Sequence, residues 1–345
     1  MFAIILKKIF SQISFINILL TSSIILLLPH FRTSAFWGKN ENYGWLFFMV
    51  ALYFFFKIKE KVEKTPDNRD IIDVIFFCFA SACALYARQA LIFLPISYFL
   101  YLFFNKANKK IIVTSITSFA IFAIPGLILL WAWGGVSDAD NLQPNTFYGR
   151  WLHHRYILTN LPILLSFFGF YLLPILIIEI LNIGTKVFFN KYFKNFLAAF
   201  VFFIFLSQLG ILDYLGNYDL GGGAVLKLNY LILKNNFLLL LFFSSIGFSV
   251  LIQLFKENKN NMIILIPILI FFGFPRLLYQ EYLEPLILLV FFLGIQTDLH
   301  KIYFNKISLS NFIFISYFVI YLMGSIYFKH FAFDSFEKWQ MFLGF

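Results

Sequence analysis

Charge is what this 345-residue sequence has least of: Asp, Glu, Lys and Arg together make up 13% of it, against about 25% in soluble domains. A globule this poor in charge has no polar surface to offer water. Cysteine is nearly absent as well. Cys78 and Cys83, the two present, lie five apart inside an apolar run. That excludes a disulfide scaffold and makes both thiols small buried apolar groups. The five histidines show no metal-ligand spacing, and the adjacent His153-His154 cannot share a helical face. There is no Walker loop, dinucleotide fingerprint or zinc-protease motif. Chemistry driven by a bound nucleotide is therefore not expected of this chain. No fixed-period repeat and no linker-like stretch divides it, so residues 1–345 are expected to form a single membrane domain.

What the sequence does have is apolar length. Hydrophobic residues make up 61% of it and 51 positions are Phe, and the mean hydropathy is +0.83. The solvent for such a chain is lipid. With spans of about 20 residues, the pattern predicts an all-α polytopic protein of about eleven transmembrane helices, near residues 9–28, 43–56, 71–87, 90–104, 111–134, 157–182, 195–213, 236–255, 262–276, 282–297 and 309–328. The N-terminal run after Lys7-Lys8 continues through Ile24–Leu28 with no small-residue cleavage site, so it reads as a retained helix. Two longer loops fall on the second side, 135–156 and 214–235. The latter contains Gly221-Gly222-Gly223 and an apolar stretch, Ala224–Leu233, of interfacial or re-entrant character. The tail 329–345 alternates aromatic and charged residues and is expected to lie flat on the same face.

These spans put 17 basic residues on one side and 10 on the other. By the positive-inside rule the first side is cytoplasmic, which places the N-terminus inside and the C-terminus outside. Eight acids fall inside and nine outside, so nearly all of the +10 net charge is on the cytoplasmic side. The surplus is a topology signal and implies no nucleic-acid partner. The location expected is an integral, multi-pass position in a bacterial-type inner membrane or its equivalent.

The outer face differs in kind as well. Five of the six arginines and all six tryptophans lie at or near it. Arginine suits bidentate recognition of phosphate or carboxylate. Tryptophan suits an interface and stacks on sugar rings. Four clusters carry the candidates. The first runs from Phe31 to Trp45 and contains Trp37 and Glu41, for which helix capping is the plain alternative. The second is Ala87-Arg88-Gln89-Ala90, a hairpin so tight that Arg88 must sit at or below the membrane surface, where it either snorkels or lines a polar cavity. The third is Trp131-Ala132-Trp133-Gly134-Gly135 with Asp138 and Asp140, followed by Arg150 to Arg155. The fourth is Pro275-Arg276-Leu277-Leu278-Tyr279-Gln280-Glu281-Tyr282-Leu283-Glu284-Pro285, where helical spacing would put Arg276, Gln280 and Glu284 on one face. So many polar groups between two short spans is typical of membrane binding sites.

The order of these segments resembles the C-type membrane glycosyltransferases, most nearly the α-1,2-glucosyltransferases that use dolichyl-phosphate-glucose. The residues that carry the resemblance are Glu41 in its aromatic setting, Arg88-Gln89 before an apolar helix, and Tyr279–Glu284. In that family the first outer loop, after one N-terminal helix, carries an acidic catalytic base. The segment around Glu41 resembles a later loop, so the resemblance implies a start one or two helices late.

The implied activity is transfer of a sugar from a polyprenyl-phosphate donor to a glycan, lipid or protein acceptor at the outer face. Under that activity Arg88, Gln89, Arg276 and Gln280 bind the donor phosphate, Arg88 and Arg276 from one shared pocket. Glu41, Asp138, Asp140, Glu281 and Glu284 are the candidate bases, and Trp37, Trp131 and Trp133 stack on the sugar. No cofactor is implied, and no residue pattern points to a metal, although a divalent ion is compatible with such chemistry. A transporter or flippase of a polar or lipid-linked substrate would also want arginines and carboxylates in a cavity. A non-catalytic subunit of an envelope-glycan assembly is the third reading.

Overall fold

In lipid the backbone has no hydrogen-bonding partner but itself, and all regular structure among the described residues is helical. The structure, a computed structural model, describes the backbone of residues 1–36, 40–59, 61–62, 66–132, 154–210, 223–233, 237–273, 280 and 283–330, with the side chains of 36, 40, 41, 130, 154–159, 230, 231 and 328–330 left aside. In chain order the α-helices are α1 (Phe2–Ile9), α2 (Phe15–Ser23), α3 (Pro29–Phe36), α4 (Asn40–Lys59), α5 (Asn68–Ala87), α6 (Phe93–Phe104), α7 (Lys109–Ala132) and α8 (His154–Ile183). They continue as α9 (Thr185–Gln208), α10 (Gly223–Leu233), α11 (Leu238–Glu257), α12 (Asn261–Gly273), α13 (Glu284–Leu289), α14 (Asp298–Asn305) and α15 (Ile307–His330). Tight 3-10 turns follow α2 (Ile24–Leu27) and precede α6 (Gln89–Ile92), and α13 runs on into a π turn, Val290–Gly294.

Six of these helices are long and apolar enough to cross a membrane: α5, most of α7, most of α8, α9, α11 and most of α15. The count reaches eight if two bent pairs are spans, residues 15–27 with 29–35, bent by 77°, and 284–294 with 298–305, bent by 94°. The protein is an all-helical, multi-pass membrane protein.

Local chemistry accounts for the breaks. The expected single span 9–28 is divided: α1 ends at Ile9, where Lys7 Nζ donates to the carbonyls of Ser11 and Ile13 at 2.6 Å each. The helix restarts after Ser14, whose side chain accepts from the Asn17 N–H. The expected span 195–213 begins ten residues earlier, because Gly184, at φ +82°, turns the chain directly from α8 into α9. That draws Lys186, Lys191 and Lys194 into the helix, where long stems let the charges reach its end. Asp67 and Asp70 form a reciprocal capping box at the start of α5. At its other end α5 stops at Ala87 and Arg88 turns extended (φ −155°, ψ 111°) into the 3-10 turn, the tight reversal the sequence implied. The apolar stretch Ala224–Leu233 belongs to helix α10, the expected loop 135–156 gives way to α8 already at His154, and residues 135–153, 214–222, 234–235 and 331–345 lie outside the described residues.

Helix α8 is the centre. Within its apolar window 83% of the residues are buried, against 17% in α7 and in α9 and 22% in α15, whose remaining faces are left to lipid. α8 and α11 cross with backbones touching: a Cβ added at Gly247 would lie 1.9 Å from the Leu165 carbonyl oxygen, and one at Gly169 2.1 Å from that of Phe243. Beside this crossing Ser244 Oγ donates to the Pro162 carbonyl at 2.6 Å. Small residues allowing such an approach are the usual means of packing helices in lipid. At the lysine-rich end α8 carries Glu179, which is wholly buried and accepts from Lys191 and from the Tyr192 hydroxyl at 2.8 Å each. Lys191 also reaches Glu257 of α11 at 3.0 Å, and Glu257 accepts from Thr297 before α14.

Candidate functional site

Glu284 opens α13, with Pro285 in the first turn where a missing N–H costs nothing. A carboxylate at that position sits in the positive end of the helix dipole. Glu284 is 0% exposed. Its Oε1 accepts the backbone N–H of His30 at 2.8 Å, from the first turn of α3. Its Oε2 accepts the hydroxyls of Tyr171 (α8) and Tyr321 (α15), both at 3.0 Å. The His30 ring lies 3.9 Å away and adds a charge pair when protonated.

Gln280 enters the same cage from the other side. Its Nε2 donates to the Tyr321 hydroxyl at 2.6 Å and also to the Tyr171 hydroxyl. Its Oε1 accepts the Ala224 N–H at the start of α10. That last contact needs a glycine at 223: φ is +73°, and a Cβ there would lie 2.3 Å from Gln280 Oε1 and 2.6 Å from the Phe167 ring. The first turns of α3, α10 and α13 thus converge on one buried polar cluster.

Its depth follows from α8. Tyr171 lies about 25 Å along the helix from His154, beyond the midpoint of its 30 residues. The Gly273 carbonyl, which ends α12, is held by Asn160 Nδ2 at 3.0 Å, about 16 Å before Tyr171 on the same helix. Gly273 is thus held near the first turns of α8, and Gln280 near its middle. An ionisable group at such depth marks a functional site by default.

The second centre is Arg88. Its guanidinium lies over the Trp45 indole at 5.7 Å, within the range of a cation–π contact. Trp45 itself is buried, at 2% exposure. Gly44 permits the approach, since a Cβ there would lie 3.4 Å from Arg88 Cβ and 3.3 Å from Leu91. The two centres are linked through α3: His30 at its start holds Glu284, and Ser34 one turn later donates to Asn42 Oδ1 at 3.3 Å in the first turn of α4.

Of the residues the sequence nominated, Gln280 and Glu284 meet on the same two tyrosines. Arg88 is half-buried and Gln89 exposed at the α5–α6 reversal. Trp131, 85% exposed near the end of α7, follows the exposed apolar residues Leu127, Ile128 and Leu129. The backbone of Glu41 lies in the first turn of α4, but its side chain is not described, and Trp37, Trp133, Asp138, Asp140, Arg276 and Glu281 lie outside the described residues. Tyr171, Tyr321, His30 and Gly223 completed the cage without being nominated. Among 18 tyrosines nothing in the sequence distinguishes two that share a carboxylate, although the glycine triplet before an apolar stretch was a pointer to Gly223. Compared with family models, curated proteins and solved structures, the chain matches none.

Proposed function

We propose that the chain is a membrane glycosyltransferase that takes a sugar from a polyprenyl-phosphate donor, at the face opposite the lysine-rich end. The observation that carries the reading is Arg88 over Trp45 at a helix reversal. A lipid-linked donor keeps its tail in the bilayer and its phosphate at the interface. There a planar cation backed by an indole offers a charged fork to the phosphate and an aromatic wall to what is attached to it. On this reading α4, α6 and α12 also cross the membrane, giving eleven spans, with the lysine-rich end cytoplasmic, the N-terminus inside and the C-terminus outside. The membrane is a bacterial-type inner membrane or its equivalent. Negative charge developing on the leaving phosphate is stabilised by Arg88, with Arg276 as its partner.

Glu284 has its oxygens engaged by three donors, so we assign it a positioning role. It fastens the segment that carries Arg276 and Glu281 to α3, α8 and α15. The base that deprotonates the acceptor hydroxyl is then one of Glu41, Asp138, Asp140 and Glu281.

The test is sugar transfer in reconstituted vesicles supplied with a polyprenyl-phosphate sugar. Arg88→Lys keeps the charge and loses the fork, and is expected to lower turnover by about tenfold or more. Transfer by Arg88→Lys at the wild-type rate would refute the site.

A transporter of a polar or lipid-linked substrate is the second reading. It is favoured by the two sharply bent helix pairs and by helix N-termini that meet at mid-bundle. Uptake of labelled substrate with no transferred product would select it.

A further inference from the structure

At the lysine-rich end, and sharing no lining residue with the Glu284 cage, a cavity of about 520 Å³ opens between the ends of α1, α4 and α11 and the turn from the π segment into α14. Its size is within the range of small-ligand sites, about 300–1,000 Å³. A second cavity of about 510 Å³ adjoins it and shares Gln12, Lys301 and Phe304. Five phenylalanines line the first cavity, Phe10, Phe55, Phe56, Phe292 and Phe304. Its polar lining includes exposed amides at Gln12 and Gln296, the carboxylates of Glu257 and Asp298, the exposed ammonium of Lys301 and the half-buried ammonium of Lys59.

Lys59 is unlike its neighbours. The other part-buried lysines near this end are all engaged: Lys7 by two carbonyls, Lys57 by Asp73, Lys61 by Asp70, and Lys191 by Glu179 and Glu257. Lys59 has no carboxylate within 4.0 Å among the described residues. The two carboxylates that line the cavity are already taken. Asp298 pairs with Lys301 at 2.8 Å, and Glu257 accepts from Lys191, Gln253 and Thr297. A half-buried cation with no counter-charge among the described residues, set beside aromatic walls at the end of a membrane bundle, suits an amphiphile with a negative head.

We propose that this cavity binds an anionic membrane phospholipid, with its phosphate paired to Lys59, its polar head reaching the amides at the rim and its acyl chains lying against the phenylalanines. The proposal is independent of the activity assigned to the other face. The polar rim faces the end where positive-inside charge gathers, and there anionic headgroups are attracted by the same lysines.

The test uses the full-length protein in neutral detergent. Added phosphatidylglycerol is expected to raise the thermal midpoint in a saturable way, whereas phosphatidylcholine and inorganic phosphate at matched concentrations do not. Lys59→Gln should weaken the phosphatidylglycerol effect about tenfold or more, and Lys59→Arg should retain it. A phosphatidylglycerol carrying a photoreactive head should cross-link the wild-type protein within residues 9–12, 55–59 or 292–304. Equal stabilisation by phosphatidylcholine, or undiminished affinity in Lys59→Gln, would overturn the proposal. Stabilisation by inorganic phosphate alone would overturn it in favour of a free-anion site. If Lys59→Gln does not fold, the wild-type cross-link map decides, and labelling confined to other segments rejects the site.

Discussion

Replacing Glu284 by leucine keeps most of the side-chain volume and deletes the acceptor of three hydrogen bonds, from the His30 N–H, the Tyr171 hydroxyl and the Tyr321 hydroxyl. Hydrogen bonds to charged groups contribute about 1.5–3 kcal/mol each, so simple addition would exceed 4 kcal/mol. Two effects reduce the sum. Burying a carboxylate costs several kcal/mol, and leucine is relieved of that cost. The two tyrosine oxygens also lie 3.5 Å apart, so one hydroxyl can turn towards the other. A net loss of about 3–5 kcal/mol is the expectation, as for breaking a buried charged network from one side. Glu284→Gln keeps an oxygen for His30 but turns an amide N–H towards hydroxyls that already receive Gln280 Nε2. One donor is left without an acceptor, at a cost of about 1–3 kcal/mol. Equilibrium unfolding in mixed micelles measures both. A Glu284→Leu protein within about 1 kcal/mol of wild type would refute the claim that the cage holds α3, α8, α13 and α15 together. Activity supplies an independent reading. A positioning carboxylate predicts that glutamine retains a substantial share of turnover and leucine little, whereas a catalytic base predicts that both lose about 100-fold or more.

Gly247→Ala forces a methyl against the Leu165 carbonyl, so it should destabilise by about 1–3 kcal/mol in the same unfolding assay. Combined with Gly169→Ala it should cost less than the two losses added, because the first change already separates the helices. Gly223→Ala and Gly184→Ala form a matched pair: both residues have positive φ, but a Cβ at 184 meets nothing within 4 Å. Gly184→Ala should therefore show only the backbone cost of its glycine-only conformation (φ +82°, ψ 155°), about 1–3 kcal/mol. Gly223→Ala should exceed it and loosen amide exchange in α10; equal losses would show that Gln280 does not depend on the close approach. The Asp67 carboxyl is held below its ordinary value of 3.8, first by the Asp70 N–H it accepts and also by Lys61. A depressed carboxylate gives stability that is present above the unfolded value and lost as pH falls through the folded one. Amides of the first turn of α5 should therefore exchange faster below about pH 3.8 in the wild type, and an Asp67→Asn variant should lack that step.

Helix type was legible in the sequence because lipid leaves a chain of this composition no other way to satisfy its backbone, whereas some span bounds were not: 9–28 is divided and 195–213 starts at Thr185. The α5–α6 reversal was legible for a more specific reason. Arg88-Gln89 interrupts two apolar runs with no room for a loop, and the structure turns there within one extended residue. The start of α9 was not legible. Three lysines within nine residues argue for a loop, and only the positive φ of Gly184 shows that the chain reverses before them. At the candidate site Gln280 and Glu284 could be paired by spacing along the chain. The tyrosines that join them come from α8 and α15, 109 and 41 residues from Gln280, and no local pattern encodes a contact over that distance. The cavity beside Lys59 escaped for a related reason, since a lysine in a basic cluster reads as topology until its neighbours are seen to be paired and it has no carboxylate partner among the described residues.

The arrangement along α8 bears on the choice between transfer and transport. Tyr171 of the cage and Glu179 of the lysine-rich network lie about 12 Å apart on this helix. Between them Leu172, Ile175, Leu176 and Ile178 are each no more than 4% exposed. A polar substrate crossing from one cluster to the other would have to part this packing. The most direct way is to slide α8 along α11, yet that is where the two backbones touch at Gly169 and Gly247. A transport cycle would use that contact as its sliding surface. Enzymatic transfer at one face leaves it as a fixed axle on which the outer residues are held. The Gly247→Ala variant therefore separates the two: in a transporter it changes the rate of passage more than its stability loss accounts for, whereas in a one-sided transferase turnover per folded molecule is maintained. The rate of that variant, corrected for its folded fraction, decides whether the glycine crossing is a sliding surface or a fixed one.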